Sequence, residues 1–256
     1  MILVTGATGT VGSHVVRELV AAGQQVRAFV TDTSEARKQL GEKVEYAQGK
    51  FEDKASIEAA LRGVTKLYLL VPFVENMAAL EATVIDAAKR AGVRHVVKHS
   101  VSGAQYEPGL TIGRAHRAGE KLLEASGMAW TFLRPVGFMS NAFGWAPTVK
   151  SQGAIYQPMG SGKMAVIDPR DIASVGAKAL TTSGHEGKAY DLTGPEALDM
   201  TQQAKILGDA IGKPVKYVDV PDSAARDAML GMGMPKFAVD ALIEFTNLVR
   251  AGNAAM

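Results

Sequence analysis

The chain of 256 residues has no cysteine, which excludes disulfides, thiol nucleophiles and thiolate-held metals. Redox chemistry here needs a borrowed cofactor. Net charge is also scarce: 28 Lys and Arg against 26 Asp and Glu leave +2. No basic block of the kind that tracks a phosphate backbone occurs, so no nucleic-acid partner is expected. No apolar run is long enough to span a bilayer, so no membrane partner is expected either. Met1-Ile-Leu-Val4 enters a strand-like segment without the basic start and apolar stretch of a signal peptide, and the whole predicts a soluble, cytoplasmic protein. What is present is apolar material: 47% of residues are hydrophobic, enough for one large domain or a domain with a smaller lobe.

Short β-branched runs alternate with segments of helical period. Strands are predicted at Ile2 to Thr5, Gln25 to Val30, Val44 to Ala47, Lys66 to Val71, His95 to Ser100 and Trp130 to Arg134. Helices are predicted at Val11 to Ala22, Ser34 to Leu40, Ala55 to Leu61, Met77 to Ala91 and Arg114 to Ala125. This alternation predicts an α/β fold, a Rossmann-type doubly wound parallel sheet with helices on both faces. Gly23, Gly63, Gly92 and Gly127 each follow the last periodic residue of a helix, where a left-handed residue closes the end. After Pro135 the pattern loosens into loops rich in Gly, Met and Pro. Helices near Asp171 to Leu180 and Met200 to Ile211 and strands at Ala189 to Leu192 and Val215 to Val220 then recur. The expected organisation is a dinucleotide-binding domain over 1–135 and a small α/β substrate-binding lobe with returning elements over 136–256, interleaved with the first and closing over the sheet's carboxyl edge.

Between the first strand and first helix lies Thr5-Gly6-Ala7-Thr8-Gly9-Thr10-Val11-Gly12. Glycines there let the backbone turn tightly and approach a diphosphate, while free amides at the helix start face the anion. The spacing Gly6-x-x-Gly9-x-x-Gly12 differs from the commonest G-x-G-x-x-G, but it sits between a strand and a helix as the mechanism requires. Gly6, Thr8, Gly9, Thr10, Val11 and Gly12 are therefore candidate cofactor-binding residues, with NAD(P)H as the expected cofactor.

Gly6 to Gly12, Ser100 at the end of the fifth strand, His116-x-x-x-Glu120, and Thr131-Phe-Leu-Arg-Pro-Val-Gly-Phe-Met-Ser-Asn141 together resemble the NmrA-like group of atypical short-chain dehydrogenases/reductases. Within it, the chain looks most like the triphenylmethane reductase and NAD(P)H:quinone oxidoreductase branch. Asp171-Ile-Ala173 and Tyr190-Asp-Leu-Thr-Gly-Pro195 also match, so the resemblance runs nearly end to end. It implies a Rossmann domain with a small carboxyl-terminal lobe that binds NADP(H) and reduces quinones, dyes or related acceptors, although some members only sense the cofactor and regulate.

The choice of dinucleotide falls at Thr31 and Asp32, after the second strand. The group usually has an arginine where Thr31 stands; Asp32 could accept from ribose hydroxyls or serve as a helix-entry residue, and Arg37 could reach back from the next helix. After the third strand, Gly49-Lys50-Phe51 replaces the usual Gly-Asp, and Lys50 cannot accept from the adenine amino group. The Phe51 backbone, and Val71, Pro72 and Phe73 after the fourth strand, are expected to border the adenosine and diphosphate.

Alcohol-ketone short-chain dehydrogenases use a Tyr-x-x-x-Lys pair, which this chain lacks. At the matching helix His116 and Glu120 lie one turn apart, so His116 could contact substrate or shuttle a proton near neutral pH with Glu120 holding its tautomer, or the two could be an ordinary helix-surface pair. Ser100 could contact the nicotinamide or substrate, or merely start a turn, and Tyr106 is the further polar candidate in the loop beyond it. Ser100 has no nucleophile elbow around it, and no metal motif occurs. Phe138, Met139, Asn141, Phe143 and Trp145, with Met229, Met232 and Met234 in a Gly-rich loop, suit a hydrophobic aromatic small-molecule substrate, or pack the lobe. The leading reading is a hydride-transferring reductase of quinones, dyes or similar acceptors. The alternative from another class is a non-catalytic NAD(P)-binding redox-sensing regulator; a sugar-nucleotide epimerase normally needs the absent tyrosine and lysine.

Overall fold

The computed structural model describes residues 1–252. Contacts divide them into two units: Met1–Pro135 with Pro169–Leu192, and Val136–Asp168 with the chain from Thr193 onward.

The first unit is built on seven parallel strands. In chain order its elements are β1 (Ile2–Val4), α1 (Gly12–Ala21), β2 (Val26–Val30), α2 (Thr33–Leu40), β3 (Glu45–Gln48), α3 (Lys54–Ala60), β4 (Lys66–Leu69), α4 (Met77–Arg90), β5 (His95–His99), α5 (Thr111–Ser126) and β6 (Ala129–Pro135). The second unit contributes a 3-10 segment (Met139–Trp145), α6 (Ala146–Gln152), β7 (Ala154–Gln157) and β8 (Lys163–Met164). The chain then returns to the first unit for α7 (Pro169–Thr181) and β9 (Lys188–Leu192). It ends in the second unit with β10 (Leu198–Asp199), α8 (Met200–Ile211), β11 (Lys216–Asp219), α9 (Asp222–Gly231) and α10 (Lys236–Arg250). The large sheet runs β3-β2-β1-β4-β5-β6-β9. This is the doubly wound order with an extra parallel strand at its edge.

Strand periodicity explains the two faces. Leu67 and Leu69 of β4 join Val84, Leu80, Leu61, Leu123 and Phe132 in the main apolar core under α3, α4 and α5. Tyr68, between them, turns to the opposite face, where a Cβ on Gly176 of α7 would lie 2.8 Å from its Cε2. A glycine in mid-helix is thus required for α7 to close on the sheet. On β5 the same alternation sends Val96, Lys98 and Ser100 toward α4 and α5, and His95, Val97 and His99 toward α7. Gly23, Gly63, Gly92 and Gly127 all have positive φ, as helix-closing glycines should.

The second unit has two small sheets, β10 antiparallel to β8 and β11 parallel to β7. Its core is small, centred on Ile155, Met200 and Ala204, with Trp145, Val149 and Tyr217 packed against it. Only α8 and β11 of this unit were expected from sequence; the 3-10 segment, α6, β7, β8, β10, α9 and α10 were not. The expected Gly-rich loop is partly helical: Met229 belongs to α9, whereas Met232 and Met234 lie in the short connection to α10. The 15-residue α10 was missed because its apolar positions follow a Gly-Met-Gly-Met-Pro stretch that reads as loop. Among the described residues no helix is long and apolar enough to cross a membrane.

Candidate active site

The turn between β1 and α1 is shaped by backbone crowding. Gly6 has φ +62, and a Cβ there would lie 2.6 Å from Leu70 Cδ2. At Gly12 a Cβ would lie 2.1 Å from the Gly6 carbonyl oxygen, so the helix start and the turn touch backbone to backbone. The Gly9 amide donates to that same carbonyl at 3.0 Å, and a Cβ on Gly9 would lie 3.2 Å from it. Thr5 pins the strand end: its hydroxyl donates to Leu70 O at 2.9 Å and accepts from the Leu70 amide at 2.8 Å. Thr8, Gly9 and Thr10 are exposed, whereas Ala7 and Val11 are buried. Val11 at the N-cap of α1 has no side-chain cap and the first turn holds no acid. A helix of 10 residues thus opens with no side-chain cap on its positive end, beside a turn that admits no side chain at Gly6 or Gly12. These residues fit a dinucleotide diphosphate.

At the end of β2, Thr31 and Asp32 are exposed. Asp32 is the N-cap of α2, one carboxylate oxygen accepting from the Glu35 amide at 3.0 Å. Arg37 does not reach back toward the strand; it pairs with Glu42, and its guanidinium lies over the Tyr46 ring, 4.9 Å from the centroid. Phe51 packs edge-on against Phe29 at 5.7 Å, and a Cβ on Gly49 would strike the Phe29 ring at 2.5 Å, so this corner is closely packed. Val71 is buried in the core, Pro72 is exposed and Phe73 is half-buried.

At the carboxyl ends of β5 and β6 a buried charged layer lies under α4 and α5. Glu120 is fully buried and accepts four hydrogen bonds: from Ser100 Oγ at 2.7 Å, Arg134 Nε at 2.9 Å and Nη2 at 2.8 Å, and Arg117 Nη1 at 3.0 Å. Burial alone would raise its pKa, but Arg134, Ser100 and Arg117 outweigh that and hold the carboxyl below its ordinary value. Beside it Lys98 and Glu81 form an ion pair with both side chains wholly buried. Burial pushes Glu81 up and Lys98 down, each toward its neutral form, and their mutual attraction opposes this. A Cβ on Gly119 would lie 1.7 Å from Glu81 Oε2, so that glycine makes room for the carboxylate.

The expected His116–Glu120 pair does not form. Glu120 is occupied by Ser100 and two arginines, and His116 Nδ1 has no hydrogen-bond partner, although the ring is buried. Desolvation, then the nearby Lys98 charge, hold the His116 pKa well below 6.5. This direction favours the neutral imidazole. Ser100 is 2% exposed and spends its proton on Glu120, leaving its oxygen as an acceptor. Tyr106 is 53% exposed in the loop beyond β5. The pairings of Ser100, Lys98 and Arg134 were missed from sequence, although Lys98 and Ser100 at i and i+2 on a predicted strand already share a face.

In the second unit, Phe138 is half-buried and bridges to Ile167. Met139 is 43% and Phe143 82% exposed, and Asn141 is exposed. Trp145 instead packs on the unit's own core. Among the described residues no cluster of His, Asp or Glu could hold a metal ion.

Residues 1–254 match the NmrA-like family, and the chain belongs to it. It is 42% identical to the NAD(P)H azoreductase of Xenophilus azovorans over 244 residues, covering 95% of this chain and 85% of that protein. The NADPH complex of the NADPH-dependent quinone oxidoreductase of Escherichia coli superposes with a TM-score of 0.89 at 31% identity, over 100% of this chain and 91% of that one. The triphenylmethane reductase of Citrobacter sp., complexed with NADP(H), gives 0.87 at 27% identity, over 100% and 91%.

Proposed function

We propose that the chain is an NAD(P)H-dependent reductase that passes a hydride to a quinone, a dye or a similar flat aromatic acceptor. The observation that carries this is the Gly6–Gly12 turn: an uncapped helix start meeting a turn in which neither Gly6 nor Gly12 could carry a Cβ. The named activities of the Xenophilus and Escherichia relatives support a reductase over a redox sensor. When bound, the reduced cofactor supplies a hydride from the dihydronicotinamide C4.

The chain's own contribution is to bind, orient and exclude water. The amides of Thr8 and of Thr10 to Gly12 take the diphosphate, and Val71, Pro72 and Phe73 border the ribose on its way to the nicotinamide. Ser100, with its proton committed to Glu120, accepts from the carboxamide amine. His116, neutral, orients by hydrogen bonding and does not act as an imidazolium acid. Water therefore supplies the protons of the reduced product, which suits acceptors that need no tuned acid. Phe138, Met139, Asn141 and Phe143 of the second unit are assigned to the acceptor, and Trp145 holds the segment that carries them. The reading places the protein in the cytoplasm, where reduced nicotinamide cofactor is available.

The test is loss of reduced-cofactor absorbance with NADH and NADPH in turn against quinones, azo dyes and triphenylmethane dyes. Turnover with at least one pair is expected. Tight cofactor binding without turnover on any acceptor class would favour the sensor instead.

A further inference from the structure

NADH and NADPH differ only at the adenosine ribose, where a 2′-hydroxyl in one is a 2′-phosphate in the other. The choice is made by the charges at the end of the second strand. Here that edge presents Thr31 and Asp32, both exposed. Asp32 is held in place by its role as N-cap: its backbone is extended, with φ −129 and ψ 110, and one oxygen accepts from Glu35 N. A carboxylate has two oxygens and about four lone-pair sites, so capping α2 leaves acceptor capacity for a ribose diol.

Two of the neighbouring cations are engaged by carboxylates of the same corner. Arg37 pairs with Glu42 and lies on Tyr46; Lys38 pairs with Glu35 at 2.9 Å. Thr33, Ser34, Arg37, Lys38 and Glu42 line one open groove here. Asp32, Glu35 and Glu42 stand here against Arg37, Lys38, Arg17 and Lys50, so the choice turns on which of these charges are ordered and unpaired, not on the net charge of the corner. Arg17 of α1 reaches the Gln39 carbonyl, at the last turn of α2, at 3.5 Å. Lys50 follows Gly49, whose amide donates to Val30 O at 2.9 Å, so it lies alongside the end of β2 and forms no ion pair among the described residues. Its flexible four-carbon stem must be ordered to meet a phosphate, whereas Asp32 is already ordered by its cap.

We propose that this chain is built for NADH over NADPH, with Asp32 as the specificity-determining residue: it accepts from the adenosine ribose hydroxyls and repels a 2′-phosphate. This rests on the cofactor reading above, and it separates the chain from the Escherichia quinone oxidoreductase solved with NADPH.

The experiment is a calorimetric titration of the intact chain with NADH and NADPH in parallel, at low and moderate salt, for the native sequence and for Asp32→Asn. Asparagine keeps the helix cap and removes the charge. NADH is expected to bind about tenfold or more tighter at low salt, the gap narrowing as salt screens the exposed carboxylate. Asp32→Asn should shrink that ratio at least several-fold, mainly by tightening NADPH. Equal or tighter NADPH binding by the native chain, or an unchanged ratio in Asp32→Asn, overturns the inference while leaving the reductase reading intact. Binding of neither cofactor overturns both.

Discussion

The turn from Gly6 to Gly12 and the cluster around Glu120 both sit beyond carboxyl ends of strands in one parallel sheet, yet they treat polar groups in opposite ways. The turn leaves backbone amides at an uncapped helix start and excludes side chains by contact with the Gly6 carbonyl and Leu70. The cluster buries Glu120, Lys98 and Glu81 and satisfies Glu120 completely from Ser100, Arg117 and Arg134. An anion site is made by leaving donors open. A scaffold for it is made by closing every charge on its neighbours.

The largest expected effect lies in the closed cluster. Lys98→Met strands Glu81 in the apolar layer and should lower unfolding stability by about 3–5 kcal/mol in urea melts, and adding Glu81→Leu should recover much of the loss. A double variant no better than Lys98→Met would show that the pair is not the unit. Glu120→Gln weakens bonds to Ser100 and two arginines and should cost about 2–3 kcal/mol, with a weaker affinity for reduced cofactor as Ser100 is freed to rotate.

Next comes a pH effect from the buried histidines. The Tyr68 hydroxyl, kept protonated by burial, shares a hydrogen bond with His99 Nδ1 at 3.0 Å, and burial, then Lys98, push the His99 pKa down to about 3. His116 shifts in the same direction. Between the unfolded value of 6.5 and the folded value, the unfolded chain binds more protons. The stabilisation from a neutral His99 is therefore complete above pH 6.5 and is lost as pH falls toward 3, amounting to about 2 kcal/mol by pH 5, and His116 adds a loss of the same sign. Urea melts from pH 7.5 to 4.5 check this; a His116→Gln variant should flatten the slope. A turnover profile with a single protonation near pH 6.5 that disappears in His116→Gln would contradict the neutral role of His116.

The smallest effect is expected at the open end. Asp32→Ala removes the cap of α2 and should cost about 1 kcal/mol of stability, whereas Asp32→Asn should cost nearly nothing. Circular dichroism melts separate the two.

The same contrast explains what was legible in sequence. The turn could be read because glycine at Gly6 and Gly12 reports a backbone constraint that local order and a strand-helix context already imply. The alternating strands and helices up to Pro135 were legible for the same reason, since periodicity and closing glycines are local signals. The cluster was not, because Glu120 has partners on β5, β6 and its own helix, and helix spacing alone suggested His116 instead. Asp32 was readable as a helix entry or a ribose acceptor, and its geometry establishes the first while leaving room for the second. In the second unit, α9 and α10 were hidden by glycines and prolines at their borders, and Trp145 serves its core.

The most direct test of where the cofactor sits is a fluorescence titration of reduced cofactor into the native chain and into Gly12→Ala, whose added Cβ would lie 2.1 Å from the Gly6 carbonyl oxygen. Saturable binding by the native chain, and at least roughly tenfold weaker binding by a variant that still melts cooperatively, is the predicted result. Equal binding by both folded proteins would contradict the assignment of the diphosphate to this turn.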